Sequence, residues 1–516
     1  MADVTAAAND DKITPDILKV AGVVVLGAIM SILDITVVNV ALPTFQVEFG
    51  EPGAPLDYAQ VAWTVTAYTL ALATVIPLTG WAADRFGTKR LYMAAVALFT
   101  LGSALCAAAW SIEALIGFRV LQGLGGGMLM PLGMTIMTKA AGPKRMGRLM
   151  AILGVPMLLG PIGGPILGGW LIDAASWHWI FLINLPIGVG ALIYAWVVLP
   201  ADTAQPSESF DFVGMLMMSP GLALFLYGVS SIPEAGTVTA NKVWIPALIG
   251  ILLVLAFVVY SFKPKHPLLD LRLFRNRNLT VSVITMFLFA VAFFGGLLLV
   301  PTYFQQIRGE SVLWAGLLVA PQGLGAMCTM PIAGALSDKM PVGRIVPIGL
   351  IAIIIGMAGL TQITATTSYT ILIAWLFVLG LGMGLTMMPI MTTALRTLTN
   401  HEVARGSTLL NITQQIASSV GVALMSVLLT NGLKDAELAL LAIAAQKDPQ
   451  LEQQLGGPEV VATGLEQAAA AFADTYWVAL ALCVVTLVSS LFLPRKKEET
   501  HLLDDEAEGA PPVMMH

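Results

Sequence analysis

The chain has 516 residues, 57% of them hydrophobic and only 11% charged, with a mean hydropathy of +0.83. A soluble domain carries about 25% charged residues, so this composition excludes one and makes lipid the main solvent. The net charge of −6 adds little, because its distribution matters more than its sum, and nothing supports nucleic-acid binding. Asp3, Asp10, Asp11, Lys12 and Asp16 form the wrong flank for a cleaved signal peptide, so the first apolar helix is expected to stay. Cys106, Cys328 and Cys483 lack metal-ligand or redox spacing, and neither a disulfide nor a metal is expected.

Apolar runs long enough to span a bilayer fall near 17–44, 58–82, 91–109, 113–138, 147–171, 179–199, 212–230 and 244–262. They continue near 279–304, 312–336, 344–363, 369–395, 406–431 and 473–493, about fourteen spans in all. An even number puts both ends on one side. Of the 26 Lys and Arg, only Lys242, Arg308, Lys434, Lys447 and the intramembrane Arg119 do not fall on the N-terminal side. The positive-inside rule therefore predicts cytoplasmic termini.

A weak repeat supports this count. Gly80-Trp81-Ala82-Ala83-Asp84-Arg85 follows the second span and Gly334-Ala335-Leu336-Ser337-Asp338-Lys339 the tenth. Each reads Gly, then an acid and a base, and the spacing fits two six-helix halves separated by two extra helices. The expected fold is an all-α membrane protein. Its parts are a cytoplasmic N-terminal segment 1–16, a first bundle 17–199, a cytoplasmic linker 200–211, two inserted helices 212–262 and a cytoplasmic loop 263–278. A second bundle 279–493 and a cytoplasmic tail 494–516, expected to be disordered after Lys497, complete it. Within the second bundle, 432–472 lies on the extracytoplasmic side. Its pieces 435–446 and 459–472 read as two short amphipathic helices that cap the mouth, meet a periplasmic adaptor or other partner, or serve as a solvated connector.

Asp34 stands near mid-depth in the first span. A carboxylate there costs roughly 2.5–3.5 kcal/mol on translocon scales, so it must be paired, hydrated or protonated. It is either a titrating site that couples transport to a proton gradient or a packing hydrogen bond. Arg119 is the second intramembrane charge, roughly 10 Å inside its helix, against roughly 15 Å for Asp34. It is placed to modulate Asp34, or else to snorkel or brace backbone carbonyls. In the fifth span Gly160, Gly164 and Gly168 recur every four residues, and with Pro156, Pro161 and Pro165 they suit a close, bendable helix contact at the bundle interface or plain tight packing. Around 80–90, Asp84, Arg85, Lys89 and Arg90 read as ion pairs and helix-end contacts that hold one conformation closed, or as retention charges alone. In the thirteenth span Asn411, Gln415, Ser418 and Ser419 share one side, with Gln414 adjacent, and should face a cavity or a neighbouring helix. Trp63, Tyr68, Phe293, Phe294, Tyr303, Met383 and Met387 could supply a deformable apolar wall, or ordinary packing.

Together these motifs resemble the major facilitator superfamily, and more narrowly its fourteen-helix drug:proton antiporters of the EmrB/QacA type. The resemblance rests on Leu33-Asp34…Asn39…Leu42-Pro43, the Gly80-to-Arg90 loop, Arg119…Gln122-Gly123, Gly160-Pro161…Gly163-Gly164 and Trp177-to-Gly188. It implies export of amphipathic, often cationic compounds through an alternating-access cavity in a bacterial inner membrane, driven by inward proton flow with no cofactor. Asp34 and Arg119 would couple protons, and Gly80, Asp84, Arg85, Gly87, Arg90 and Asp338 would form the cytoplasmic gate. Gly160, Pro161, Gly164 and Gly168 would belong to the antiporter helix, while Asn39, Trp63, Tyr68, Gln122, Phe293, Tyr303, Met387, Asn411 and Gln415 would line the substrate cavity. The sequence departs from the simplest pattern at Pro341, which makes the second loop less regular, and in the lack of an acid deep in the thirteenth span. Export of a native lipid, siderophore or metabolite is the alternative transport reading. An intramembrane enzyme is disfavoured, because His178, His266, His401, His501 and His516 lie at span ends, in loops or in the tail.

Overall fold

The computed structural model describes residues 14–50, 56–141, 145–201, 209–235, 237–264, 266–396, 398–399, 402–436, 438–446 and 449–496. The extreme tail, most of the N-terminal segment and the centre of the linker predicted from sequence lie outside these residues.

Lipid offers no partner for backbone polar groups, so each span must satisfy them internally, and every long apolar run is helical. The first bundle comprises α1 (Pro15–Glu48), α2 (Tyr58–Phe86), α3 (Thr88–Ala107), α4 (Ile112–Ala141), α5 (Met146–Ala174) and a sixth span in two pieces, α6 (Trp179–Leu182) and α7 (Asn184–Val198). Two further helices follow, α8 (Phe212–Ser230) and α9 (Asn241–Tyr260). The second bundle holds α10 (Arg277–Gln306), α11 (Val312–Lys339), α12 (Val342–Leu360), α13 (Tyr369–Arg396) and α14 (Val403–Asp435). After the short α15 (Ala439–Ala445) and α16 (Pro449–Gln454), α17 (Pro458–Ser490) closes it. Thirteen of these segments meet the length and hydropathy of a membrane span. The 29-residue α5 packs among them.

Two expectations are corrected here. Residues 459–472 do not form a separate helix. They continue into the last span, because nothing between Pro458 and Ser490 breaks a helix. The Gly160/Gly164/Gly168 face does not lie between the bundles. A Cβ at Gly160 or Gly164 would stand 2.2 Å from Ile32 Cγ2 or 2.1 Å from Thr36 Oγ1, so this face seats α1 within its own bundle. A different face of α5 meets the second bundle, where a Cβ on Gly147 would lie 2.4 Å from the Gly334 carbonyl and one on Gly154 2.4 Å from Met330 Cε. The side chain of Pro161 lies outside the described residues.

Glycines also set the spacing inside each bundle. In α4, a Cβ on Gly123, Gly125 or Gly127 would come within 2.5, 2.5 and 2.6 Å of the backbone of Tyr68, Phe99 and Leu72. In α13, Gly380, Gly382 and Gly384 repeat the pattern, with 1.9, 2.4 and 2.7 Å to the carbonyls of Gln322, Gly349 and Ala326. Small residues are what let membrane helices approach this closely.

The two inserted helices pack on each other and form apolar clusters with both α2 and α14, bridging the bundles on one flank. Ser219 Oγ donates to the Thr74 carbonyl at 2.7 Å. The 432–472 insertion sits on the second bundle. Its own small core gathers Ala442, Ala445 and Val461, Gln446 Nε2 donates to the Gln306 carbonyl at 2.7 Å, and Glu466 Oε2 accepts from the Ala365 amide at 2.9 Å. Arg308 braces the same corner, donating to the carbonyls of Ala365 and Thr367 with its guanidinium 4.4 Å from the Tyr369 ring centre.

Candidate functional site

Asp34 is 2% exposed and Arg119 is fully buried. The Arg119 Nη1 donates to Asp34 Oδ2. The other carboxylate oxygen accepts from Gln122 Nε2 at 2.7 Å and Asn184 Nδ2 at 3.2 Å. Asn184 in turn donates to Ser103 Oγ at 3.1 Å. Arg119 is held separately, by Nε to the Thr64 carbonyl at 3.0 Å, by Nη1 to Gln122 Oε1 at 2.8 Å and by the Tyr68 ring at 4.1 Å. Five spans therefore converge on one buried ion pair and its partners. Such a pair is tolerable only because its lone pairs and protons are largely met, since each buried ion costs several kcal/mol to desolvate. One donor stands apart: Arg119 Nη2 has no hydrogen-bond partner among the described residues, and the ring face beside the guanidinium supplies the remaining attraction.

Local sequence explains the convergence. Gly102 lets α3 meet α4 at Gln122, with a Cβ 2.7 Å from Gln122 Cα, and Gly126 leaves room for the Tyr68 hydroxyl. The break at Ile183 brings Asn184 to the start of α7, facing Asp34. Sequence reasoning paired Asp34 with Arg119 but gave no role to Asn184, Ser103 or Thr64. Asn184 lies within the Trp177-to-Gly188 stretch, and its amide beside a helix break is the signal for it.

A cavity of about 400 Å³ lies between the bundles. From the first it takes Ser31, Ile32, Ile35 and Thr36 of α1, Leu72 and Ile76 of α2, and Gly126, Gly127, Met130 and Pro131 of α4. From the second it takes Phe294 of α10 and Asn411, Gln414, Gln415 and Ser418 of α14. Asn411, Gln414, Gln415 and Ser418 thus face the cavity, as their shared side suggests, and so does Phe294. The remaining expected lining residues do not. Phe293 is buried against Phe289, and Phe294 faces the cavity instead, because adjacent helical residues diverge by about 100°. Tyr303 is spent on the Thr364 carbonyl at 2.6 Å, and Met387 is fully buried in the second bundle's core. Trp63 stacks on Tyr227 of α8 at 5.6 Å. Tyr68 and Gln122 belong to the shell of the ion pair, and Asn39 is exposed, one turn beyond Ile35. The Ser31 and Tyr68 hydroxyls, 3.2 Å apart, stand between cavity and ion pair.

At the end of the molecule where both described termini lie, the bundles are clasped. Asp84 Oδ2 stands 3.6 Å from Arg405 Nε, and a Cβ on Gly80 would lie 3.4 Å from Arg405 Cα. Asp338 accepts from the Gly147 amide at 2.8 Å, from Arg148 Nε at 3.2 Å and from Arg396 Nη2 at 3.1 Å. The two repeat motifs thus each reach the helix start opposite, at Arg405 and at Gly147-Arg148. Gly87 makes the α2–α3 turn with φ of 89°, a region that favours glycine, whereas the second turn runs through Met340 and Pro341 at φ −121° and −65° and needs none. Arg90 is exposed and is not part of this clasp, and Lys89 caps the end of α7 at the Trp196 carbonyl, 2.8 Å away. Arg85 is half-buried beside Asp84. Arg148, Arg396 and Arg405 read as retention charges in the sequence, since nothing local marks a basic residue that will meet an acid 58, 190 or 321 positions away.

Two helical bundles, a polar pair within one and a cavity between them describe a membrane transporter. The chain belongs to the Major Facilitator Superfamily, whose family model matches residues 24–422. It is 46% identical over 500 residues to a multidrug resistance protein B homolog of Mycobacterium tuberculosis, covering 94% of this chain and 92% of the relative. It is 30% identical over 408 residues to the multidrug export protein EmrB of Escherichia coli, covering 79% of each. In fold it is similar to the human organic anion transporter MFSD10 and to the proton:xylose symporter XylE, with TM-scores of 0.61 and 0.60 at 15% identity. These cover 91% and 95% of this chain, and 100% and 98% of the respective structures.

Proposed function

We propose that the protein is a multidrug efflux antiporter that exports amphipathic compounds in exchange for protons, with fourteen spans and both termini in the cytoplasm of a bacterial cell. The observation that carries this reading is the buried Asp34–Arg119 pair one helical turn from an inter-bundle cavity lined by Ser31 and Ile35. The names of the relatives support the substrate class.

The chemistry follows from the contacts. While ionised, Asp34 holds Arg119, Gln122 and Asn184 to α1. A proton arriving on Asp34 removes the charge that binds Arg119, which keeps its own proton and its Thr64 and Tyr68 contacts. The link between α1 and α4 weakens, and the bundles gain freedom to rock. The clasps at Asp84 and Asp338 close the cytoplasmic end, which corresponds to an outward-facing state. Loading from the cytoplasm requires both to open, and the proton gradient is the energy source.

Everted vesicles with a proton gradient test the reading. Asp34→Asn is expected to abolish gradient-driven drug accumulation while leaving the protein in the membrane at its usual level. Full accumulation by that variant would place the proton elsewhere.

A further inference from the structure

The cavity is amphipathic but uncharged. Its first-bundle wall is largely aliphatic, and its second-bundle wall is a stripe of carboxamides and a hydroxyl on α14, Asn411, Gln414, Gln415 and Ser418, at helical spacing. None of the described residues lining it is ionisable. The side-chain amides of Gln414 and Gln415 are half-buried and make no hydrogen bond with any described residue, which leaves their donors and acceptors to whatever fills the cavity.

The nearest carboxylate does not change this. Asp34 lies behind the Ser31–Tyr68 hydroxyl pair, and both its oxygens are taken by Arg119, Gln122 and Asn184. An organic cation entering the cavity would leave water without meeting a counter-charge. The one ring on the wall, Phe294, gives a cation–π contact that is small beside the desolvation of a buried ion. A neutral molecule with an apolar body and an edge of carbonyl, sulfonyl or hydroxyl groups pays no such cost and satisfies the free amides.

We infer that this cavity selects uncharged amphipaths over organic cations, and that Gln414 and Gln415 are specificity-determining residues which hydrogen-bond the polar edge of the substrate. This rests on the reading of the cavity as the transporter's binding site and departs from the cationic substrates that the family resemblance implies.

The test uses an isosteric pair of fluorescent dansyl amides, one ending in an uncharged tert-butyl group and the other in trimethylammonium. Binding is titrated to the purified full-length protein in detergent. Wild type is expected to bind the neutral probe at least about tenfold more tightly. Gln415→Glu, or Ser418→Asp as a second placement of the carboxylate, should narrow or reverse that ratio. Gln414→Leu with Gln415→Leu should weaken the neutral probe several-fold. Thermal unfolding confirms that each variant is folded. Equal or tighter binding of the cation by wild type, no change on adding a carboxylate, or binding of neither probe would overturn the proposal. Proton release during transport of the neutral probe, read separately in proteoliposomes, tests the antiporter reading. Its failure alongside a preserved binding preference would remove proton coupling and leave the selectivity standing.

Discussion

In the first bundle, Gly123, Gly125 and Gly127 seat α4 against α2 and α3, and in the second Gly380, Gly382 and Gly384 seat α13 against α11 and α12 in the same way. Around this shared scaffold the side chains differ. Counting back from the first glycine, α4 carries Gln122 and Arg119 where α13 carries Leu379 and Leu376, all four buried. The first helix of the first bundle offers Asp34, whereas α10 contains no acidic residue. The fold therefore needs the glycines but not the charges. The mid-span pair has no counterpart at the matching positions of the second bundle, whose own buried pair, Asp338 with Arg396, sits at the helix ends.

Replacing polar groups of the first bundle by the apolar residues of the second should break this contrast. Arg119→Leu strands a buried carboxylate, a loss expected at about 3–5 kcal/mol, read as a large drop in thermal unfolding temperature in detergent together with loss of transport. Adding Asp34→Leu should recover most of the stability, because both charges are then gone, while transport stays absent. A double variant as unstable as the single would mean the pair is structural. Next in size are the scaffold glycines. Gly380→Ala and Gly123→Ala each force a methyl into a neighbouring backbone, at about 1–3 kcal/mol, and unfolding should report losses in both bundles. If only the first were sensitive, the scaffold would not be shared.

Smaller effects sharpen the comparison. Asn184→Ala removes one hydrogen bond to the Asp34 carboxylate, about 1.5–3 kcal/mol for a bond to a charged group. Unfolding in detergent should report a loss of that order, and gradient-driven transport should fall with it, since that amide is what ties the Asp34 carboxylate to α7. Transport at the wild-type level despite the stability loss would argue that Asn184 serves packing alone. The smallest change is at the turns. Gly87→Ala meets strain of about 1 kcal/mol at positive φ, while Met340→Ala in the second turn should cost little, as differential unfolding would show.

Much of this was legible from one dimension. The apolar runs placed the long helices within a few residues, except the last, whose start at Pro458 precedes the expected 473, because length against a fixed bilayer thickness leaves few choices. Asp34 and Arg119 stood out since charge at that depth demands a reason. The cavity wall was less readable. Among apolar residues on helices buried nearly all round, no polar face marks direction, so the sequence offers both Phe293 and Phe294 as wall, and the lining expected from the family resemblance takes Phe293 where the structure has Phe294. On α14 the polar stripe does mark direction, and there Asn411 and Gln415 face the cavity.

Composition, the spacing of hydrophobic runs, the repeated loop and the two intramembrane charges were determined by the sequence itself, because each follows from what lipid permits along a single helix. Only the tertiary structure decided that Asn184 closes the shell of Asp34, that Arg405 and Arg148 answer the two acidic loops, and that the glycine face of α5 belongs to α1. Those pairings join residues tens to hundreds of positions apart, and local periodicity fixes the face a side chain occupies but not the helix that comes to meet it.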